Sequence, residues 1–190
     1  MYDAHTKLAV MTRTYVALLR GINVGRHNKV AMGDLRKLFA VLGHDDVKTY
    51  IQSGNVMFKS ATNDPSRLVG DIEKRIAEDL GVKVTVLLRT SDDLAQVVAN
   101  SPFVGRENDP TKLHVAFLSG APQPERLAAF DSPADDPADF SVVGREVYLH
   151  YPNGYGRTKL TNAYVEQRLG VAATTRNWRV VNKLYELMSG

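Results

Sequence analysis

Apolar and polar positions follow two periods along the chain, and the switches between them mark out its elements. YVALLR (15–20) is a continuous β-branched and apolar run and predicts a strand, which GINVGRHNKV (21–30) breaks with two glycines and two asparagines. Met32, Leu35, Leu38, Phe39 and Leu42 then recur at helical spacing, and Gly43 stands where a helix end wants positive φ, so a helix is expected over 32–42. VKTYI (47–51) and NVMFK (55–59) are short β-rich runs joined at hairpin length by Gln52, Ser53 and Gly54. Pro65 opens a second helix with Leu68, Ile72, Ile76 and Leu80 four apart on one face, Gly81 closes it, and KVTVLLR (83–89) reads as a strand.

In order, residues 15–89 spell βαββαβ, the split βαβ pattern of ferredoxin-like folds. The remainder repeats the pattern. A helix from Asp92 to about Asn100 stops at Ser101-Pro102, KLHVAFL (112–118) is a strand, and GAPQP turns into a helix with Leu127 and Phe130 inward. FSVV (140–143) and EVYLHY (146–151) flank Gly144-Arg145 as a hairpin; helices are expected over 159–170 and 175–188. The expected fold class is therefore α+β, with two ferredoxin-like (βαββαβ-type) subdomains, the second lacking a clear final strand, plus a C-terminal helix. The division expected is an N-terminal extension at 1–12, a first subdomain at 13–90 and a second at 91–190. Met11 stands just before the first strand and is a candidate alternative start.

Composition narrows the chemistry. The chain has 190 residues, 44% hydrophobic and 24% charged, and no cysteine, which excludes disulfides, thiolate nucleophiles and iron–sulfur clusters. No apolar run approaches a membrane span and no leader-like start is seen, so a cytoplasmic protein with no membrane partner is expected. The net charge of +3 is unevenly spread: +5 over 13–89, −6 over 90–144 and +4 over 145–190. If the two basic ends meet in the fold, they form a positive surface suited to an anion.

Three polar clusters fall at the ends of elements. The first, after the first strand, holds Arg20, Asn23, Arg26, Asn28 and Lys29 among glycines; it matches no nucleotide-binding fingerprint and also reads as a solvated loop. The second is Tyr50, Gln52, Ser53 and Asn55 around Gly54, where the polar groups can equally satisfy their own turn. The third is YPNGYGRTKLTNA (151–163) with TRNW (175–178): Lys159 supplies charge, Thr161 is a candidate N-cap, and Arg176 and Asn177 stand at another expected helix start. These groups suit a phosphate or carboxylate, and they also suit caps and surface charge. Tyr148, Tyr151 and Tyr155 near Arg157 and Lys159 are compatible with base stacking or with an ordinary loop rim. The five histidines show no metal-ligand spacing; His114 and His150 are placed to face one another across a sheet or to be ordinary strand residues.

At YVALLRGINVG, TYIQSGNVMF and YPNGYGRTKLTNAYVEQRLG with TTRNWRVVNKL, the chain resembles the bacterial proteins of domain of unknown function family 1697, from about residue 13 to 188. The resemblance implies paired ferredoxin-like α+β subdomains and carries no activity, substrate or cofactor. Its signature blocks coincide with the three polar clusters, at Arg20, Gly21, Asn23, Gln52, Ser53, Gly54, Asn55, Lys159, Leu160, Thr161, Arg176, Asn177 and Trp178. The chain departs from the usual pattern with Arg26 in place of a second glycine, Thr158 in place of serine and Arg179 in place of asparagine.

The leading functional reading is an anion site for a phosphorylated small molecule or nucleotide, with ligand-binding candidates Arg20, Asn23, Gln52, Ser53, Asn55, Lys159, Thr161, Arg176 and Asn177. No catalytic residue, metal or cofactor is assigned. The alternatives are a nucleic-acid-binding module, which the aliphatic strands disfavour because stacking rings are missing from them, and a non-catalytic interaction domain whose polar blocks hold the halves together.

Overall fold

Two successive runs of strand, helix, hairpin, helix and strand give the molecule two four-stranded antiparallel sheets. The computed structural model describes residues 11–25 and 27–190, so residues 1–10 of the extension expected at 1–12, and Arg26, lie outside the described residues. The first half runs β1 (Arg13–Arg20), α1 (Met32–Val41), β2 (Asp45–Tyr50), β3 (Asn55–Ser60), α2 (Pro65–Leu80) and β4 (Thr85–Thr90). Its sheet order, β2-β3-β1-β4, places the first and third strands side by side at the centre, as a split βαβ unit does. After α3 (Ser91–Ala99), the second half runs β5 (Leu113–Leu118), α4 (Pro124–Ala128), β6 (Asp139–Val143), β7 (Glu146–His150), α5 (Asn162–Leu169), β8 (Ala173–Asn177) and α6 (Trp178–Ser189). Its order is β6-β7-β5-β8, the same arrangement.

The second half is therefore complete, which corrects the expectation that its last strand is missing. ATTRN pairs antiparallel with β5, from His114↔Asn177 to Leu118↔Ala173. Five residues rich in Thr, with a charge in the middle, carry too little apolar pattern to read as a strand, and Asn177 and Trp178 then start the helix three residues later than expected. Two smaller expectations also shift. Leu127 is exposed because α4 is a single short turn that turns only Phe130 inward, and α5 begins at Asn162 because Thr161 caps it by accepting from the Tyr164 N–H at 3.2 Å. His114 and His150 occupy opposite faces of the sheet: they lie across from Leu149 and Leu113 respectively, and side chains alternate along a strand.

Burial follows from these pairings. One face of the first sheet packs Ala17, Val56 and Phe58 under Leu35 of α1 and Ile72 of α2. One face of the second packs Ala116, Val147 and Leu149 against Val165 and Leu169 of α5. The two remaining faces share a central core with α3 and α6, in which Leu18 and Leu87 meet Val115, Phe117, Leu94, Trp178 and Leu184. With that core continuous between the halves, the end of β1 lies beside β8, close enough for Arg176 to reach the Leu19 carbonyl. No helix among the described residues is long and apolar enough to cross a membrane.

Candidate functional site

The chain ends of β1, the β2–β3 turn and β8 meet in a cleft of about 450 Å³, and Arg176 forms its floor. The register brings them together: Leu18 pairs with Asn55, so the loop after Arg20 and the Ser53 turn emerge at the same edge, and the Leu19 N–H donates to the Gly54 carbonyl at 2.8 Å. Gly54 is required there. Its φ is +77°, and a Cβ would lie within 3.0 Å of both Ile22 and Leu19 side-chain atoms.

Arg176 is 8% exposed and uses its whole guanidinium. Nε donates to Asn55 Oδ1 (2.8 Å), Nη1 to Thr174 Oγ1 (2.7 Å) and the Thr175 carbonyl (3.1 Å), and Nη2 to the carbonyls of Leu19 (3.2 Å) and Ser53 (2.9 Å). Every acceptor is neutral. Burial pulls its pKa down to about 10, which leaves the group charged at neutral pH, with no carboxylate in contact among the described residues.

Arg20, at the cleft's rim, makes a forked ion pair with Glu166 of α5, Nη2 to Oε2 being 2.7 Å; this bond raises the Arg20 pKa. Glu166 also accepts the Ala173 N–H at 2.7 Å, so it braces the start of β8. Nη1 of Arg20 is left without a partner among the described residues. Ser53 Oγ accepts from Asn55 Nδ2 and Thr174 Oγ1 from Arg176, so each hydroxyl keeps its own proton to donate. Tyr155 and Asn162 complete the wall on the side of the second half.

The other candidates sit around this cleft or away from it. Asn23 (φ +53°) ties its loop together by donating to the carbonyls of Val30 and Gln52 and accepting from the Val30 N–H, while the Gln52 side chain is exposed. Asn55 is fully buried and also donates to the Tyr50 carbonyl. Lys159 is exposed and borders a different surface. Its backbone N–H donates to Asp136, which also accepts from the Thr158 hydroxyl and the Leu160 N–H, and its ammonium reaches only the Ala134 carbonyl at 3.4 Å. Thr161 and Asn177 are N-caps with their oxygens occupied, Asn177 accepting from the Val180 N–H at 2.9 Å. The two expected helix starts lie on opposite faces of the second sheet, α5 packing Val165 and Leu169 into one core and α6 packing Val181 and Leu184 into the other, and Arg176 itself belongs to the strand before α6. Sequence reasoning missed Glu166, Asn162 and Thr174; for Glu166 the repeated βαββα pattern was a signal, since the first half carries counterparts of it and of the arginine clasp it braces.

Those counterparts are visible around Arg89, at the end of β4. Buried to 1% exposure, it donates from Nε to Glu146 Oε1 (2.7 Å), from Nη1 to the Leu88 carbonyl, and from Nη2 to the carbonyls of Leu118 and Arg145. Burial lowers its pKa and Glu146 opposes that shift. Glu73 accepts the Val86 N–H as Glu166 accepts that of Ala173, and the Leu118 N–H donates to Arg145 as that of Leu19 does to Gly54. Each half thus sends the arginine of its last strand into the first strand and hairpin of the other. Among the described residues no group of acidic or histidine side chains is arranged to hold a metal.

A sequence model described as a protein of unknown function (DUF1697) matches residues 11–148. Among solved structures, the conserved bacterial protein SP0830 from Streptococcus pneumoniae is similar in fold, with a TM-score of 0.74 and 23% identity over 94% of this chain and 99% of that one. No curated protein matches the chain.

Proposed function

Because the chain belongs to the family of proteins of unknown function DUF1697, whose description names no activity, we propose a function from its own residues. The protein binds a small anion, a phosphorylated small molecule or nucleotide, in the cleft between subdomains 13–90 and 91–190. One observation carries this reading: the Arg176 charge is buried without a carboxylate, whereas the matching Arg89 is neutralised by Glu146. A buried charge is costly unless it is balanced, and its field is weakly screened in a low-dielectric surrounding. An anion seated over Arg176 supplies the balance that Asn55 does not. Its direct bonds come from Arg20 Nη1 and the hydroxyls of Ser53 and Thr174, while the Arg176 guanidinium acts through its charge, since its N–H groups are occupied.

The test is a thermal-shift screen of inorganic phosphate, sugar phosphates, nucleotides, carboxylates and short oligonucleotides, run on the parent chain, Arg20→Gln and Asn55→Asp. Asn55→Asp gives Arg176 the counter-charge that Arg89 already has. A phosphate ester at 100 times its Kd adds about 2.7 kcal/mol of stability, and both variants are expected to weaken it at least about tenfold while remaining folded. If no anion shifts the parent, or if Asn55→Asp binds as the parent does, the reading fails. A steep loss of affinity with salt, together with oligonucleotide binding, would favour the nucleic-acid alternative.

A further inference from the structure

The cleft has an aromatic wall as well as a cationic floor. Tyr155 borders it and is 42% exposed, and Val24, 68% exposed, borders it too. Behind Tyr155 the imidazole of His114 is stacked at 5.2 Å between centroids and 21° between planes, and Tyr151 meets it edge-on at 5.4 Å and 68°. These rings are anchored. The Tyr151 hydroxyl donates to the Leu160 carbonyl at 3.0 Å, and Gly154 (φ +82°) turns the chain so that its N–H bonds back to the Tyr151 carbonyl at 2.9 Å. Burial lowers the pKa of His114, so the imidazole is neutral at neutral pH and packs as a flat ring.

Resting on the anion reading above, we propose that the ligand's anionic group is attached to a planar ring that stacks on Tyr155, the simplest class being a nucleoside monophosphate. A tyrosine stacked on His114 and held edge-on by Tyr151, and bordering a cleft with free donors, has already lost the conformational freedom that ligand stacking would otherwise cost. Its π-face accepts any flat heterocycle, since every base has such a face. Val24 adds apolar surface, and the volume lies within the roughly 300–1,000 Å³ of small-molecule sites.

Titration calorimetry with adenosine monophosphate, ribose 5-phosphate and inorganic phosphate separates this proposal from the anion reading. The nucleotide is expected to bind at least about tenfold more tightly than ribose 5-phosphate, which is ~1.4 kcal/mol. Tyr155→Leu is expected to abolish that difference and leave ribose 5-phosphate binding unchanged, and Tyr155→Phe to keep it. If the parent binds both phosphates equally, or if Tyr155→Leu retains the preference, the platform is overturned while the anion site stands. Should none of the three bind, both proposals fall. Unchanged circular dichroism and melting of Tyr155→Leu establishes that any lost preference is local.

Discussion

The two arginine clasps share one plan, and two of the positions at which they differ set their charge. In the first, the Arg89 guanidinium meets Glu146 at the start of β7, and Ser119 follows Leu118 at the end of β5. In the second, Arg176 meets Asn55 at the start of β3, and Arg20 follows Leu19 at the end of β1. The Leu118 and Leu19 carbonyls, the bracing glutamates and the neighbouring strand bonds correspond, whereas the hairpin carbonyl is that of Arg145 in one clasp and of Ser53 in the other, and Thr174 adds an acceptor where the first half has Leu87. The Arg89 clasp is electrically closed, and the Arg176 clasp with the Arg20–Glu166 pair keeps one positive charge in excess. Holding two halves together requires the hydrogen bonds, which both clasps make; it does not require an unbalanced charge. The excess is therefore the feature that packing alone leaves unexplained, and it lies in the cleft that collects all three signature blocks.

Removing each arginine is the strongest way to break this comparison. Arg89→Met strips a partially buried carboxylate of its partner and takes a donor from three carbonyls, of which that of Arg145 keeps the Leu118 N–H, so a loss of about 3–5 kcal/mol is expected. Arg176→Met leaves unpaired carbonyls and an amide but no orphaned charge, and is expected to cost about 1–3 kcal/mol. Urea unfolding of the two variants, with unchanged slope, reads the order directly. If Arg176→Met proved the costlier, Arg176 would be a structural clasp first.

The two hairpin glycines make the next contrast. Gly54 and Gly144 both have positive φ, but a Cβ on Gly54 collides with Ile22 and Leu19 while one on Gly144 meets nothing within 4 Å. Gly144→Ala is expected to cost about 1–2 kcal/mol for the left-handed backbone alone, and Gly54→Ala roughly 2–5 kcal/mol because overpacking is added. The turn at Gly54 also delivers the Ser53 carbonyl to Arg176, so Gly54→Ala should weaken anion binding and Gly144→Ala should not. Equal losses of stability in the pair would mean that the close approach at Ile22 yields easily.

Acid distinguishes the halves at another matched position. His114 of β5 corresponds in register to Tyr15 of β1, a phenol ring where the second half has an imidazole. Burial pulls the His114 pKa to about 4 from its ordinary 6.5, so below 6.5 the unfolded chain takes up the proton first. Its contribution to stability is full above pH about 6.5 and is lost progressively as pH falls towards 4. His44, packed on Phe39 and Phe58, is also lowered by burial and adds to the same slope. His114→Phe is expected to flatten the dependence of the urea midpoint on pH between 6.5 and 4. An unchanged slope would assign the acid response elsewhere.

The order of elements was legible because strong local signals carry it: Leu68, Ile72 and Ile76 four apart, Gly81 closing that helix, and the glycine-bearing hairpins. Strand β8 was not, since its pairing with β5 is tertiary and its own pattern is polar. For the site, Arg20, Ser53 and Arg176 were among the residues singled out, and they converge because β1 and β8 end side by side. Glu166 could be reached only through the repeat and its counterpart Glu73: its bond to Arg20 spans 146 positions, and a carboxylate on a helix face by itself looks like surface charge. Lys159 and Thr161 stood out because they follow a glycine-rich loop, yet a loop's composition does not say which way it turns. Asp136 decides that here by gathering the N–H groups of Lys159 and Leu160.

The smallest expected effect tests that last distinction. Lys159→Ala removes an exposed ammonium whose one contact is a 3.4 Å approach to the Ala134 carbonyl, while the backbone bond to Asp136 survives the substitution. Stability should stay within about 0.5 kcal/mol of the parent, as for surface changes outside a network. Affinity for a phosphate ester should change by less than about twofold, because a solvated charge beyond the cleft is screened within roughly 10 Å at ordinary salt. Arg20→Gln, measured beside it, removes one charge of the same sign from the rim of the cleft and should lower affinity at least about tenfold. Two equal charges removed with unequal consequences would show that position beside the Arg176 clasp, rather than the basic character of the chain's ends, governs binding. Equal losses would return the attraction to a diffuse positive surface.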